Sequence, residues 1–427
     1  MATNWNRRDV VKAGAAIGMG SLISPAFAAN TLRRADDTIR VGVIGCGGRG
    51  TGAAANAIEA HPAVKIVALA DLFEDRLNGS RGYLEGREDA SQRVSMDDAH
   101  CFTGFDAYKK LVAIKDIDYV ILATPPGFRP IHFKAAIDAG KHVFMEKPVA
   151  VDPAGIRTVI EAAERAQAQK LSVVAGTQRR HEASYLALME RVQNGELGDI
   201  VGAQCYWNQG GLWVHDRKPE YNDMEWQCRN WLYFCWLSGD HICEQHIHNI
   251  DVVNWAKGGP PVKATGMGGR QIRTAEKYGN IFDHFAIEFE YADGSSCMSM
   301  CRQIDGCAVR VEEVLRGTKG TSVSRPGYAV MEGQSNWRFD AENRNPYEQE
   351  HTDLVASITG DGPYLNEAKR VAESTLTAIM GRMSTYTGKQ VTWEQAMNSK
   401  LDLSPAKYEF GDLAVGEIPM PGSTPLV

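Results

Sequence analysis

A short apolar strand that runs into spaced glycines and then into a helix leaves a chain few folds to choose from. Here Ile39-Arg40-Val41-Gly42-Val43-Ile44 is followed by Gly45-Cys46-Gly47-Gly48-Arg49-Gly50 and by the helix-like stretch Thr51 to Ala60. Gly45 permits a tight turn. Gly47 lets the main chain approach an anion with no Cβ in the way, and Gly50 allows the helix to pack closely on the strand, its N-terminus facing the anion. Strand, glycines and helix in this order form the dinucleotide fingerprint.

The stretches that follow repeat the pattern. Apolar runs at Lys65 to Ala70, Tyr119 to Ala123, His142 to Met145 and Ser172 to Ala175 alternate with helical segments such as Pro130 to Gly140. Short, β-rich and nearly continuous runs of this kind are strands buried on both faces of a parallel sheet. The polar segment Gly82 to Ala99 interrupts the alternation and reads as a surface insertion. Asp71 ends the second strand, where a carboxylate bonds ribose hydroxyls and repels a 2′-phosphate, so NAD is the expected cofactor.

Beyond residue 200 the texture changes. Phe285 to Tyr291, the turn Ala292-Asp293-Gly294 and Ser295 to Met300 alternate as antiparallel strands, and a late helix from about Asn366 stops at Gly388. The expected architecture is α/β plus α+β: an N-terminal Rossmann dinucleotide-binding domain at 39–177 and a C-terminal α+β domain at 178–395 with an open-faced, largely antiparallel sheet. A tail at 396–427 follows. At 427 residues and a net charge of −7, with no long basic run, the chain is long enough for two domains and carries no footprint for nucleic acid.

Residues 1–28 read separately. Arg7-Arg8 precede the small and apolar stretch Ala13 to Ile23, and Ala26-Phe27-Ala28 supplies a cleavage site, so a twin-arginine signal and a periplasmic or secreted protein are expected, with a linker at 29–38. The apolar stretch is too short to span a bilayer, so no stable membrane insertion is expected. Nine cysteines, an odd number, include Cys46, Cys205, Cys243, Cys297 and Cys301 in apolar patterns, which reads as small buried side chains and not as a disulfide framework.

Two motifs end strands on the side where open α/β sheets bind ligands: Ala123-Thr124-Pro125 and Glu146-Lys147-Pro148. A lysine at the rim of a buried strand needs a partner or a task. Pro148 directs it into the cleft, a cis bond being one way to do so. With the glycine turn, Asp71 and Gly198-Asp199-Ile200, these residues resemble the Gfo/Idh/MocA family of glucose-fructose oxidoreductase and inositol dehydrogenase, from about Ile39 to Trp393. The resemblance places Lys147 near the substrate hydroxyl and the nicotinamide, with Gly45, Gly47, Gly48, Arg49, Gly50, Asp71, Ala123, Thr124, Pro125 and Glu146 around NAD. It also implies a homo-oligomer, dimer or tetramer.

A second family hallmark, Asp-x-Gly-x-His-x-x-Asp, reads here Glu244-Gln245-His246-Ile247-His248-Asn249-Ile250-Asp251. It keeps His248 and Asp251 while replacing the first acid by Glu244 and the glycine by His246. His248 is the expected general base and Glu244 its neighbour, four residues apart and on one face if the segment is helical. His241, His246 and His248 invite a metal, but a nicotinamide takes a hydride without a Lewis acid, so none is expected. Rings and polar side chains between 206 and 236 suit a carbohydrate or polyol, with Arg180, Trp207, Trp213, Trp231 and Asp251 as candidate contacts; the competing use of these rings is a core or a subunit interface. Gln178, Arg179 and His181 are further candidates for the cleft wall.

The expected activity is NAD-dependent oxidation of a sugar, polyol or glycoside hydroxyl, with a bound, internally recycled cofactor, because an exported enzyme lacks a pool to reoxidise NADH. Two alternatives stand beside it: a glycosidase or lyase using transient oxidation, elimination and re-reduction, and a sugar-binding protein with a vestigial cofactor site.

Overall fold

The computed structural model describes residues 38–90 and 92–427. The expected export signal at 1–28, and the linker expected after it, fall on residues that lie outside the described ones, apart from Thr38. Six strands form the first sheet: β1 (Ile39–Ile44), β2 (Val64–Asp71), β3 (Cys101–Thr103), β4 (Tyr119–Leu122), β5 (His142–Met145) and β6 (Val173–Ala175). All pair in parallel in the order β3-β2-β1-β4-β5-β6. Every residue of β4 is buried, as a strand covered on both faces requires. Burial of side chains such as Val120, Ile121 and Leu122 stabilises the sheet by about 1.5–3 kcal/mol each. The order reverses between β1 and β4, which opens a crevice at their carboxyl ends.

The polar segment after Gly82 is not wholly an insertion. Its start completes the helix Glu74–Glu85, whose Leu77 and Leu84 are buried while Gly79 and Gly82 weaken the helical signal. Only past Gly86 does the chain become irregular, crossing β2 through a bridge between Ile66 and Val94.

The second sheet has nine strands: β7 (Ile200–Gln209), β8 (Lys263–Gly269), β9 (His284–Glu290), β10 (Ser296–Gln303), β11 (Arg310–Gly317), β12 (Gly320–Arg325), β13 (Tyr328–Gly333), β14 (Trp337–Arg338) and β15 (Val391–Thr392). Their order is β14-β13-β12-β11-β7-β10-β9-β8-β15, antiparallel except for the central parallel pair β7 and β10. The helices Ile247–Lys257 and Ala368–Thr387 pack on one face. The other face is open, with Val201, Met267 and Met298 exposed. The long helix ends at Gly388, which takes a φ of 71° at the cap where glycine is favoured.

In space the division at residue 177 is not clean. The helix Pro346–Thr359, absent from the sequence reading, packs on the helix Gly48–Ala60 of the first sheet. Its Leu354, Val355 and Ile358 join the core around Val41 and Val43. Among the described residues no helix is long and apolar enough to cross a membrane. Cys46, Cys205, Cys243, Cys297 and Cys301 are all buried free thiols, in line with their apolar settings.

Candidate active site

At the switch point the glycine turn is built by exclusion. A Cβ on Gly50 would lie 1.7 Å from the Gly45 carbonyl oxygen, and one on Gly45 would lie 2.5 Å from the Thr124 nitrogen. At Gly47 and Gly48 a Cβ would meet nothing within 4 Å, so bare backbone faces open space at the start of the helix Gly48–Ala60. Asp71 stands beside the turn, its two oxygens accepting hydrogen bonds from the Cys46 N–H (2.6 Å) and the Phe73 N–H (2.8 Å). Burial raises the Asp71 pKa, and these two bonds oppose the rise.

A cleft of about 390 Å³ runs along these groups, lined by Gly45, Gly47, Gly48, Arg49, Asp71, Ala123, Thr124 and Pro125 on one side, and by Trp213 and Trp231 on the other. Exposed amides at a helix N-terminus suit a pyrophosphate, and a fixed carboxylate next to them suits ribose hydroxyls, so the residues present fit NAD. Behind the cleft, buried Arg129 donates to the carbonyls of Leu122 (2.5 Å) and Thr124 (2.7 Å), capping the end of β4. Glu146 pairs with Arg49 (2.7 Å), whose guanidinium lies 5.0 Å from the Tyr347 ring centre, so Glu146 acts on the cleft through Arg49.

Lys147 follows β5 by two residues, and its peptide bond to Pro148 is cis. Its ammonium donates to the Glu244 backbone carbonyl and pairs with Glu244 Oε1 at 3.0 Å; the two side chains keep only 12% and 16% of their surface exposed. Glu244 and His248 do not share a helix. One helix, His241–Glu244, ends before Gln245, and the next, Ile247–Lys257, begins after His246, which turns inward to Ser299 Oγ (2.7 Å). The His248 ring stacks on Trp207, centroids 5.8 Å apart. Burial, then the positive charges of Lys147 and Arg179, push the His248 pKa well below its ordinary value. An imidazole held neutral keeps a lone pair free to accept a proton at neutral pH, and the same downward shift makes it a weaker base.

A buried polar network lies behind His248. Arg179 pairs with Glu313 at 2.5 Å, and Glu313 also accepts from Asn249 (2.6 Å), Ser324 (2.8 Å) and Tyr185 (3.1 Å). Arg180 and Asp251 are committed to each other: the guanidinium donates to both carboxylate oxygens at 2.7 and 2.9 Å, and Ser374 adds a bond of 2.7 Å. The fully buried Asp251 therefore anchors the helix that carries His248 and does not open to the cleft. His181 is also internal. Burial would lower its pKa, but Glu367 and Asp353 outweigh that and push it up to about 10. The imidazoles of His241, His246 and His248 do not converge: the first bonds Asp240, the second Ser299, and the third stacks on Trp207.

The aromatic segment divides. Trp226, Tyr233 and Phe234 are core, whereas Trp213 is well exposed and meets Trp231 edge-on at 5.8 Å. Arg229, one of the polar side chains of the 206–236 segment, lines the cleft, and so do Phe73 and Phe105, which nothing in the sequence assigns to it. No local motif marks these positions. Only the position of Phe73, two residues after Asp71, could have pointed to it.

A parallel sheet with a dinucleotide cleft at its switch point, joined to an open-faced sheet whose packed helix Ile247–Lys257 carries a histidine near a strand-end lysine, defines a nicotinamide oxidoreductase architecture. Residues 39–174 match the oxidoreductase family with an NAD-binding Rossmann fold, and residues 185–323 match the GFO/IDH/MocA C-terminal domain. Together the two matches span more than half of the chain, which belongs to the Gfo/Idh/MocA family. It is 28% identical over 258 residues to inositol 2-dehydrogenase 3 of Saccharopolyspora erythraea, covering 60% of this chain and 64% of that protein. To a glycosyl hydrolase family 109 protein of Streptomyces coelicolor it is 29% identical over 199 residues, covering 47% and 38%. The chain thus spans less than two thirds of the length of these curated relatives. The solved scyllo-inositol dehydrogenase from Lactobacillus casei, with bound NAD(H) and scyllo-inositol, shares the fold at a TM-score of 0.64 and 21% identity, covering 84% of this chain and 99% of that one.

Proposed function

We propose that this chain is an NAD-dependent oxidoreductase acting on a secondary hydroxyl of a sugar, polyol or glycoside, with the cofactor kept bound and reset within each turnover. The observation that carries the reading is that a lysine ammonium held by Glu244, two residues beyond the end of β5, is close enough to the buried His248 to lower its pKa. NAD, when bound, supplies the acceptor for the hydride that leaves the alcohol carbon. The chain's own part is acid-base and positional. Lys147 donates a hydrogen bond to the alcohol oxygen and steadies negative charge developing there, and His248 takes the hydroxyl proton. Glu244 aims the ammonium, and Trp207 holds the imidazole plane.

Lys147→Ala should abolish turnover on polyols and sugars while the protein, denatured after desalting, still releases NAD. Undiminished turnover would reject the assignment. The similarity to a family 109 glycosyl hydrolase keeps one second reading in play, in which oxidation is transient, the acidified neighbouring C–H is deprotonated, the aglycone leaves and hydride returns. Aglycone release with solvent deuterium entering the sugar and no NADH accumulating would select it. Free-polyol oxidation without exchange would select the first.

A further inference from the structure

After the helix Trp393–Asn398 the chain has no regular secondary structure, yet it is tied down at several places. The Leu403 N–H donates to Asp152 (2.8 Å) beside the first sheet, the Leu413 N–H donates to Asp223 (3.1 Å), and the Leu413 carbonyl accepts from Gln227 (2.7 Å). Gly422 N–H donates to Thr387 at the end of the long helix (2.9 Å). Between the first two ties, Tyr408 and Phe410 cross the outside of the NAD cleft. Phe410 lies 5.1 Å from the Phe105 ring and 6.2 Å from Phe73, and Tyr408 lies 5.6 Å from Phe128. All three of those rings line the cleft. Phe73 is also the residue whose N–H holds Asp71.

A second contact closes the same wall. Arg229, which lines the cleft, places its guanidinium 3.9 Å from the Phe73 ring centre and bonds Asp75 with two nitrogens at 3.2 Å each. This joins the helix Asp223–Arg229 to the helix Glu74–Glu85 across 154 residues of sequence. Because Asp71 marks the ribose, the wall beyond it, made by Phe73 and Phe105, faces the adenine. Nearly half of Phe410 stays exposed, so its ring is not a core side chain. Rings packed against one another at such tilted angles resist outward displacement of the wall they back.

We propose that the strap formed by residues 403–422, together with Arg229, is a clasp that backs the adenine-side wall and sets how slowly NAD leaves. Tyr408, Phe410 and Arg229 are positioning residues that act through Phe73 and Phe105. The inference rests on the reading of this cleft as an NAD site, and it gives the retained cofactor of the proposed function a physical basis.

The test uses the full-length protein loaded with adenine-labelled NAD and chased with unlabelled NAD, with retained label measured after rapid desalting. The pair Tyr408→Ala/Phe410→Ala should release label about tenfold faster or more, while Tyr408→Phe/Phe410→Tyr keeps the parent rate. Asp223→Ala, which cuts one of the two Leu413 ties, leaving that from Gln227, and keeps both rings, should also speed release and serves if the double variant does not fold. Release at the parent rate in folded Tyr408→Ala/Phe410→Ala, or in Asp223→Ala where the pair does not fold, overturns the clasp. Fast release from the parent, faster still in the variants, overturns the retained-cofactor reading and leaves the clasp standing.

Discussion

Arg179→Met tests whether the buried network behind His248 works as the geometry requires. Methionine keeps most of the volume but strands Glu313, a fully buried carboxylate that then retains only the neutral donors of Asn249, Ser324 and Tyr185. Breaking a buried ion pair from one side costs about 3–5 kcal/mol, and three surviving donors put this case near 3 kcal/mol at about pH 8. The cost depends on pH with a defined sign. Burial already raises the Glu313 pKa against the pull of Arg179, and without the guanidinium it rises further. A carboxyl whose folded pKa exceeds its unfolded value contributes stability that is complete below the unfolded pKa and is lost as pH rises through the folded pKa. The deficit should therefore be small near pH 5 and grow by up to about 1.4 kcal/mol per pH unit toward pH 8. Urea unfolding of parent and variant at both values measures it through the shift in midpoint at constant slope. A deficit under about 1 kcal/mol at the higher pH, or one equal at both, refutes the reasoning.

The proposed base, His248, should report independently. Because burial and the charges of Lys147 and Arg179 hold His248 well below its usual pKa, the acid limb of kcat/KM should fall below about pH 6.5 in the parent, and Arg179→Met should move it upward; a limb unmoved by the change removes His248 as the base. Gly50→Ala should destabilise the protein by about 1–3 kcal/mol and weaken NAD binding, since its Cβ would sit 1.7 Å from the Gly45 oxygen; a calorimetric melt and titration matching the parent would contradict that packing. Asp71→Ala should relax the preference for NAD over NADP, read as the ratio of their dissociation constants, and an unchanged ratio would count against the ribose assignment.

What could be read from the residues alone divides by distance along the chain. The Rossmann strands were legible because each is a short apolar run next to its own turn, and β1 and β5 have the expected ends. Lys147, Glu244 and His248 were legible as motifs, and the structure puts Glu244 on the lysine, although the helix expected to align Glu244 with His248 is broken between them. Asp251 and Arg180 are where motif reading stops, because one carboxylate and one guanidinium on the page do not say that they bond each other. The helix Pro346–Thr359 is not legible in the sequence because its apolar face is interrupted by Glu350 and His351, both fully buried. The tail carries no periodicity at all. Its role depends on partners such as Asp152 and Asp223, hundreds of residues upstream in the first case and nearly so in the second.

The parallel pairing of β7 with β10 has a consequence for how the molecule comes into being. Strands that run the same way cannot be joined by a hairpin, so the chain leaving β7 must travel back along the sheet before β10 can start, and His248 rides on that return journey. Neighbouring βαβ units can close early from local contacts, but the imidazole reaches the lysine only when this long excursion has been completed. A nascent chain can thus set its glycine turn and Asp71 in place before the histidine is brought to its position.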